Sequence, residues 1–227
     1  MAETLLSART DARLYAVDTD TTDPALTDSE WNRLINGAWL DYARAFPERF
    51  STSSSSPLLT VTMVASQYVY DLTSAGGIME LTGAWVYNSG TKLNSLDRAD
   101  FDELYRLSQI ESNVSSTTPR SWGIRRITDL SFQAILYPAP TLTYSVYIFG
   151  YKEPPQLSSD STVFTYVTDA EVKWIARLAA IRGAGIIGRE QAFIDRLWSD
   201  LPQNMRNALK SIESFKRPFP KAAEVVT

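Results

Sequence analysis

The sequence predicts an α+β protein, with a helical lobe built from N- and C-terminal helices and a small antiparallel β-sheet or sandwich lobe inserted between them. Three observations predict it. Two capping boxes stand far apart in the chain, at Thr27-Asp28-Ser29-Glu30 and Thr168-Asp169-Ala170-Glu171, each opening a run with apolar residues at helical spacing. Between them the apolar period changes to two, the signature of strands with one buried face. Each terminal helix is too short to stand alone in water, so the economical solution buries their apolar stripes together.

The elements follow in order. Leu26 and Trp31 occupy staple positions around the first box, and Trp31, Leu34, Ile35, Ala38, Trp39, Tyr42 and Phe46 continue one stripe until Pro47 ends it. The serine run at 51–57 reads as a flexible joint. Strands are predicted over 59–64, 68–72 and 78–87, then a turn at Asn88-Ser89-Gly90. A short helix is predicted over 98–108, with Phe101, Leu104 and Tyr105 facing inward. A polar loop spans 112–118, and strands follow over 122–127, 131–137 and 144–151. Glu153-Pro154-Pro155 is a stiff linker. Val172, Ile175, Ala176 and Ala179 form the stripe of the second capped helix. A further helix begins near Arg189 and uses Ile194, Leu197, Trp198, Leu201, Met205, Leu209 and Ile212, split or kinked by Pro202. The domain reading is therefore an N-terminal arm and helix over 1–50, an inserted β-rich lobe over 57–153, C-terminal helices over 154–214, and an extended tail over 215–227. Trp31, Leu34, Ile35, Trp39, Ile175, Ile194, Leu197 and Trp198 are the candidate packing residues of the helical lobe.

Composition limits the chemistry. The chain has 227 residues with no His and no Cys. Disulfides, thiolate nucleophiles, imidazole bases and the usual zinc or transition-metal ligands are therefore excluded. The formal net charge is −4, whereas a sequence-nonspecific nucleic-acid binder carries a basic surplus. No apolar run is long enough to span a bilayer, and residues 1–11 lack the apolar core of a secretory leader. Folding in a reducing cytoplasm is expected, which makes the Asn113-Val114-Ser115 sequon accidental.

Four motifs invite a chemical reading. Gly183-Ala184-Gly185-Ile186-Ile187-Gly188 spells a dinucleotide fingerprint, yet a capped helix precedes it, and Ala208 stands where the ribose-binding acid belongs. A helix C-cap and tight turn is the expectation there. Asp18-Thr19-Asp20-Thr21-Thr22-Asp23 resembles a calcium loop but has Asp23 at the glycine position and Ser29 at the final acid, so an acidic turn is expected. Asp97, Asp100, Asp102 and Glu103 offer carboxylate pairs for glycoside hydrolysis, and equally the charged start of a short helix. Trp122, Tyr137, Tyr144, Tyr147 and Tyr151 suit either a sugar-stacking platform or a strand core. The sequence nominates no catalytic, cofactor-binding or metal-ligating residue. It does nominate a docking arm. Phe215, Lys216, Arg217, Pro218, Phe219, Pro220 and Lys221 combine apolar anchors, cations for an acidic partner, and prolines that reduce the entropy lost on binding.

The chain resembles the head-to-tail adaptor, or connector, proteins of short-tailed bacteriophages. The resemblance is carried by Asp28-Ser29-Glu30-Trp31-Asn32-Arg33-Leu34-Ile35-Asn36. It is also carried by the run from Thr118-Pro119-Arg120-Ser121-Trp122-Gly123-Ile124 through Ile135-Leu136-Tyr137-Pro138-Ala139-Pro140 to the Pro154-Pro155 linker, and by the helix–strand–helix order. The resemblance implies a structural virion protein of the neck, not an enzyme and without cofactor. It implies a homo-oligomeric ring, a dodecamer, that binds the portal protein above and a tail or nozzle protein below. The C-terminal segment reaches the portal, and DNA passes through without specific binding. Another neck or tail-completion protein is the nearest alternative function. A carbohydrate-binding module or carboxylate glycosidase is the more distant one.

Overall fold

The computed structural model describes residues 3–20, 22–110, 115–128 and 130–212. In chain order it contains α1 (Leu5–Ala16), α2 (Asp28–Ala45), a 3-10 turn (Pro47–Phe50), β1 (Leu59–Thr62), β2 (Val69–Thr73), β3 (Ile78–Asn88), β4 (Thr91–Arg98) and α3 (Phe101–Ile110). Then follow β5 (Ser115–Ser116), β6 (Ser121–Arg126), β7 (Ser131–Tyr137), β8 (Ala139–Pro140), β9 (Ser145–Lys152), α4 (Asp169–Ile187), α5 (Gln191–Ser199) and α6 (Gln203–Lys210). The class is α+β. Two compact units form, one from the chain before Phe50 and after Glu153, the other from Phe50 to Glu153.

In the helical unit α4 is the hub, because it is apolar nearly all round: Val172, Ile175, Ala176, Leu178, Ala179, Ala180, Ile181 and Ala184 are all buried. Both α1 and α2 pack along it, α5 folds back on it, and α6 lies on α2. The Leu5 N–H donates to the Thr162 carbonyl ahead of α4, and Arg189 beyond α4 donates to the Val17 carbonyl, so α1 runs parallel to α4. Both predicted capping boxes form. The Thr27 N–H donates to Glu30 Oε2 at 2.7 Å and the Thr168 N–H to Glu171 Oε2 at 2.8 Å, while each threonine hydroxyl accepts the N3 amide in return. The glycine motif closes α4 with the expected left-handed cap and tight turn into α5. Gly183 and Gly185 lie inside α4, and only Gly188 is a left-handed cap, at φ 81°. Gly183 is small because Trp31 needs the space: a Cβ there would fall 2.3 Å from the indole Cη2. Pro202 divides α5 from α6, as its missing N–H requires.

Helix α1 was not anticipated; the sequence suggests only an arm ahead of α2. Its cap pairs Thr4 with Ser7 instead of an acid, and its buried positions are Leu5, Ala8, Ala12 and Ala16, too weakly apolar to register as a stripe. It ends on Val17 at φ 59°, a left-handed conformation that costs a β-branched residue about 1–2 kcal/mol. Val17 is largely exposed, so Val17→Gly loses little burial. It should raise stability by about 1 kcal/mol, read as a higher urea midpoint at unchanged slope.

The second unit is one sheet in the order β1-β9-β3-β4-β6-β7-β2. Its two edge strands, β1 and β2, lie against each other, so the sheet curls around a single core. Leu59, Val61, Met63, Tyr70, Ala84, Val86, Leu96, Trp122, Phe132, Ala134, Leu136, Val146 and Ile148 fill that core. The sheet is mixed, which corrects the purely antiparallel expectation. β4 and β6 pair in parallel, Asp97 opposite Ser121 and Arg98 opposite Trp122, with α3 as the crossover between them. Parallel neighbours cannot be joined by a tight turn, and α3 supplies the longer connection. It sits on β6 and β7 through Phe101, Leu104 and Ile135, close enough that a Cβ on Gly123 would lie 2.9 Å from Phe101 Cα. Tyr105, expected inward, is exposed. The Asn88-Ser89-Gly90 turn forms with Ser89 and Gly90 both left-handed, joining β3 to the unpredicted strand β4. The serine run is not a loose joint. The Thr52 N–H and hydroxyl bracket Gly150 of β9, and Ser53 bridges Ser56.

Candidate assembly surfaces

The acids of the calcium-like loop are committed to structure. Buried Asp18 accepts the Trp31 indole N–H at 2.8 Å and the Ala25 amide at 2.9 Å, which ties the loop to α2. Asp20 accepts the Thr22 and Asp23 amides, and these bonds lower its carboxyl below the usual range. Of the four carboxylates near α3, Asp100 accepts the Asp102 and Glu103 amides as the helix cap, and all four are exposed. The aromatic residues do not form an open platform. Trp122 is fully buried, Tyr137 stacks on Tyr68, Tyr147 stacks on Tyr87 at 4.5 Å, and Tyr144 packs against the core. Among the described residues, no three His, Cys, Asp or Glu side chains gather as a metal site, and no helix is long and apolar enough to cross a membrane.

What the helical unit does contain is a set of ion pairs that fix its helices. Arg9, buried in α1, grips both Asp160 oxygens at 2.9 Å and Asn32 Oδ1 at 3.0 Å. Arg13 pairs with Asp28 at 2.7 Å, and Arg182 of α4 pairs with buried Asp41 of α2. Asn36 clamps the returning chain, accepting the Leu157 N–H at 2.8 Å and donating to its carbonyl. Glu171 joins its own cap to α2. Burial raises its carboxyl, but bonds from the Thr168 amide, the Tyr42 hydroxyl and the Thr168 hydroxyl, with the Arg49 charge, outweigh burial and hold it below the usual value. Burial, then the bond to Glu171, pushes the Tyr42 hydroxyl far above its ordinary range.

The sign of the Glu171 effect is definite. A carboxyl depressed in the folded state contributes stability above its unfolded value near 4.5, and that contribution disappears as pH falls through the folded value. Glu171→Gln should therefore cost about 1 kcal/mol at pH 7. Its urea midpoint should converge on that of the parent chain at an acid pH below the folded value, where Glu171 itself is protonated. A deficit that is the same at both pH values would show that charge plays no part.

The candidate packing residues of the helical unit are placed as follows. Trp31, Ile35, Trp39, Ile175, Ile194 and Leu197 are buried, while Leu34 and Trp198 are half-buried. The tail residues Phe215, Lys216, Arg217, Pro218, Phe219, Pro220 and Lys221 lie outside the described residues. One surface was missed by sequence reasoning. The outward side of α1 carries Leu6, Leu14 and Val17 at 47%, 61% and 53% exposure, and Ile186 of α4 is exposed as well. The spacing of Leu6, Thr10, Leu14 and Val17 was the available signal, hidden because α1 itself was not recognised.

Ion-paired helices around a small-residue hub, a curled sheet filled by its own side chains, and an open apolar helix face describe a structural component. The chain belongs to the SU10 adaptor protein family, which it matches over residues 3–212, and so is a structural bacteriophage protein of the head-to-tail adaptor kind. The match takes in the described residues of both compact units. An adaptor of this kind belongs to the virion neck and associates with portal and tail proteins. Among curated proteins none matches the chain.

Proposed function

We propose that copies of this chain form a closed, twelve-fold ring between portal and tail, through which DNA passes without specific binding. The observation that carries this reading is the family match across both units. Ring subunits meet through heterologous contacts that close by rotation. In this reading the helical lobe, held by Trp31, Leu34, Ile35, Trp39, Ile175, Ile194, Leu197 and Trp198, is the ring-forming part. The inserted lobe faces tail components, and Phe215 to Lys221 dock on the portal. The net charge of −4 disfavours adhesion of DNA to the ring.

Mixing the purified chain with portal should add a collar to portal particles, visible by negative stain, with symmetry countable in averaged views. Bare portal particles at saturating chain would overturn the reading. Removing residues 215–227 should weaken portal capture at least tenfold, about 1.4 kcal/mol, while leaving the circular dichroism spectrum unchanged. Equal capture by the shortened chain would remove the docking arm.

A further inference from the structure

The outer face of the sheet carries aromatic residues that its core does not use. Ala84 and Val86 of β3 and Val146 and Ile148 of β9 point into the core, so their neighbours Trp85, Tyr87, Tyr147 and Phe149 point away from it. Trp85 meets Phe149 edge to face at 4.7 Å, and Tyr87 stacks on Tyr147 at 4.5 Å. The Trp85 indole leans over Gly83, where a Cβ would lie 3.1 Å from its Cη2, so the ring lies along the sheet instead of standing off it. Trp85, Tyr87 and Phe149 floor an open hollow of about 340 Å³. Its rim is made of hydroxyl residues, Thr52, Ser53, Ser54 and Thr82, with Lys92 at one side and no acid in the lining. The Ser54 and Thr82 hydroxyls bond to no described residue. Lys92 holds its ammonium 4.5 Å from the centre of the Trp85 ring and has no carboxylate partner among the described residues.

We propose that this hollow binds an acidic sugar, a pyranose that carries a carboxylate. Three features select that class. Every apolar side chain in the lining is aromatic, and no Leu, Ile, Val or Met stands among them to pack an aliphatic anchor of a protein partner. An aromatic face carries negative charge density, which suits the polarised C–H face of a sugar ring. The rim supplies hydroxyls, which both donate and accept as a polyol requires. Lys92 supplies the charge. Its ammonium now occupies the height over Trp85 at which a ligand ring would stack. On binding it exchanges the indole face for the ligand's carboxylate, a stronger, charge-assisted partner. The same ammonium repels a cationic ligand, and a bare inorganic anion gains nothing from Trp85. The hollow is built wholly from the sheet unit, so the inference does not rest on ring formation.

Saturation-transfer NMR on the full chain tests it. The probes are the methyl glycosides of glucuronic acid, galacturonic acid and N-acetylneuraminic acid, with methyl glucoside as the neutral control. At least one acidic probe should take up saturation on its ring C–H protons, with an affinity on the order of millimolar, and the neutral control should take up much less. Trp85→Leu should abolish the transfer. Lys92→Gln, which leaves the floor of the hollow intact, should keep the parent's urea midpoint and reduce the acidic probe to the level of the neutral one, and Lys92→Arg should restore the difference. Added salt should weaken the acidic probe alone. Silence from all three acidic probes overturns the proposal. So does transfer that is equal for acidic and neutral probes, or that Lys92→Gln leaves unchanged; the Lys92 variants decide the matter even where Trp85→Leu fails to fold. None of these measurements involves portal, so the ring reading stands or falls separately.

Discussion

Trp31→Ala should unfold the helical unit at much lower denaturant, at a cost of about 3–5 kcal/mol. The indole is wholly buried and sits against Gly183, where no Cβ could be accommodated. Alanine therefore leaves a cavity that the small residues of α4 cannot fill. The indole N–H also answers Asp18 at 2.8 Å, so the substitution removes a partner from a buried carboxylate. Trp31→Phe separates the two effects: it keeps most of the volume and should cost about 1–3 kcal/mol, the penalty of the lost hydrogen bond. The measurement is the urea midpoint of the helical circular dichroism signal, which comes mostly from this unit. Equal losses for the two variants would mean that packing against Gly183 contributes little.

Gly150→Ala should damage the sheet unit by about 3 kcal/mol. Gly150 lies in β9 opposite β3, where the pairing register shifts on either side of Leu81. A Cβ there would fall 2.0 Å from the Glu80 carbonyl oxygen and 3.0 Å from Leu81 Cα. Both obstacles are backbone in a central strand, so relief requires the two strands to part and lose hydrogen bonds. Gly76 is the control. A Cβ at Gly76 meets nothing within 4 Å, so Gly76→Ala should be neutral or slightly stabilising. Protease susceptibility of the sheet unit under mild urea should rise for the first variant only.

The features most legible in the sequence were those with local causes. Thr27 with Glu30 and Thr168 with Glu171 announced two helix starts, because a capping box is satisfied within four residues. The Ser89-Gly90 turn was legible for the same reason. Features decided by distant partners were not. Helix α1 buries alanines, whose contribution depends on the small residues of α4 far along the chain. Strand β4 carries polar residues on most positions and buries only Leu96, so it has little alternation to read. Its parallel partner β6 could have been inferred from the helix between them, since a crossover helix is the usual price of parallel pairing. The serine run looked like a linker by composition, yet the amide and hydroxyl of its Thr52 find Gly150 of β9. Of the candidate surfaces, the α2 stripe followed from periodicity, whereas the outer row of α1 required that helix to be known first.

The insertion of one unit into the other has a consequence for how the polypeptide emerges from the ribosome. Leu5 bonds to Thr162, and Trp31 rests on Gly183, so the partners of α1 and α2 are made more than a hundred residues later. At 5–20 residues per second that delay is on the order of ten to thirty seconds. During it the sheet unit is synthesised in full, while two greasy N-terminal helices wait beside it as a nascent chain that chaperones can recognise.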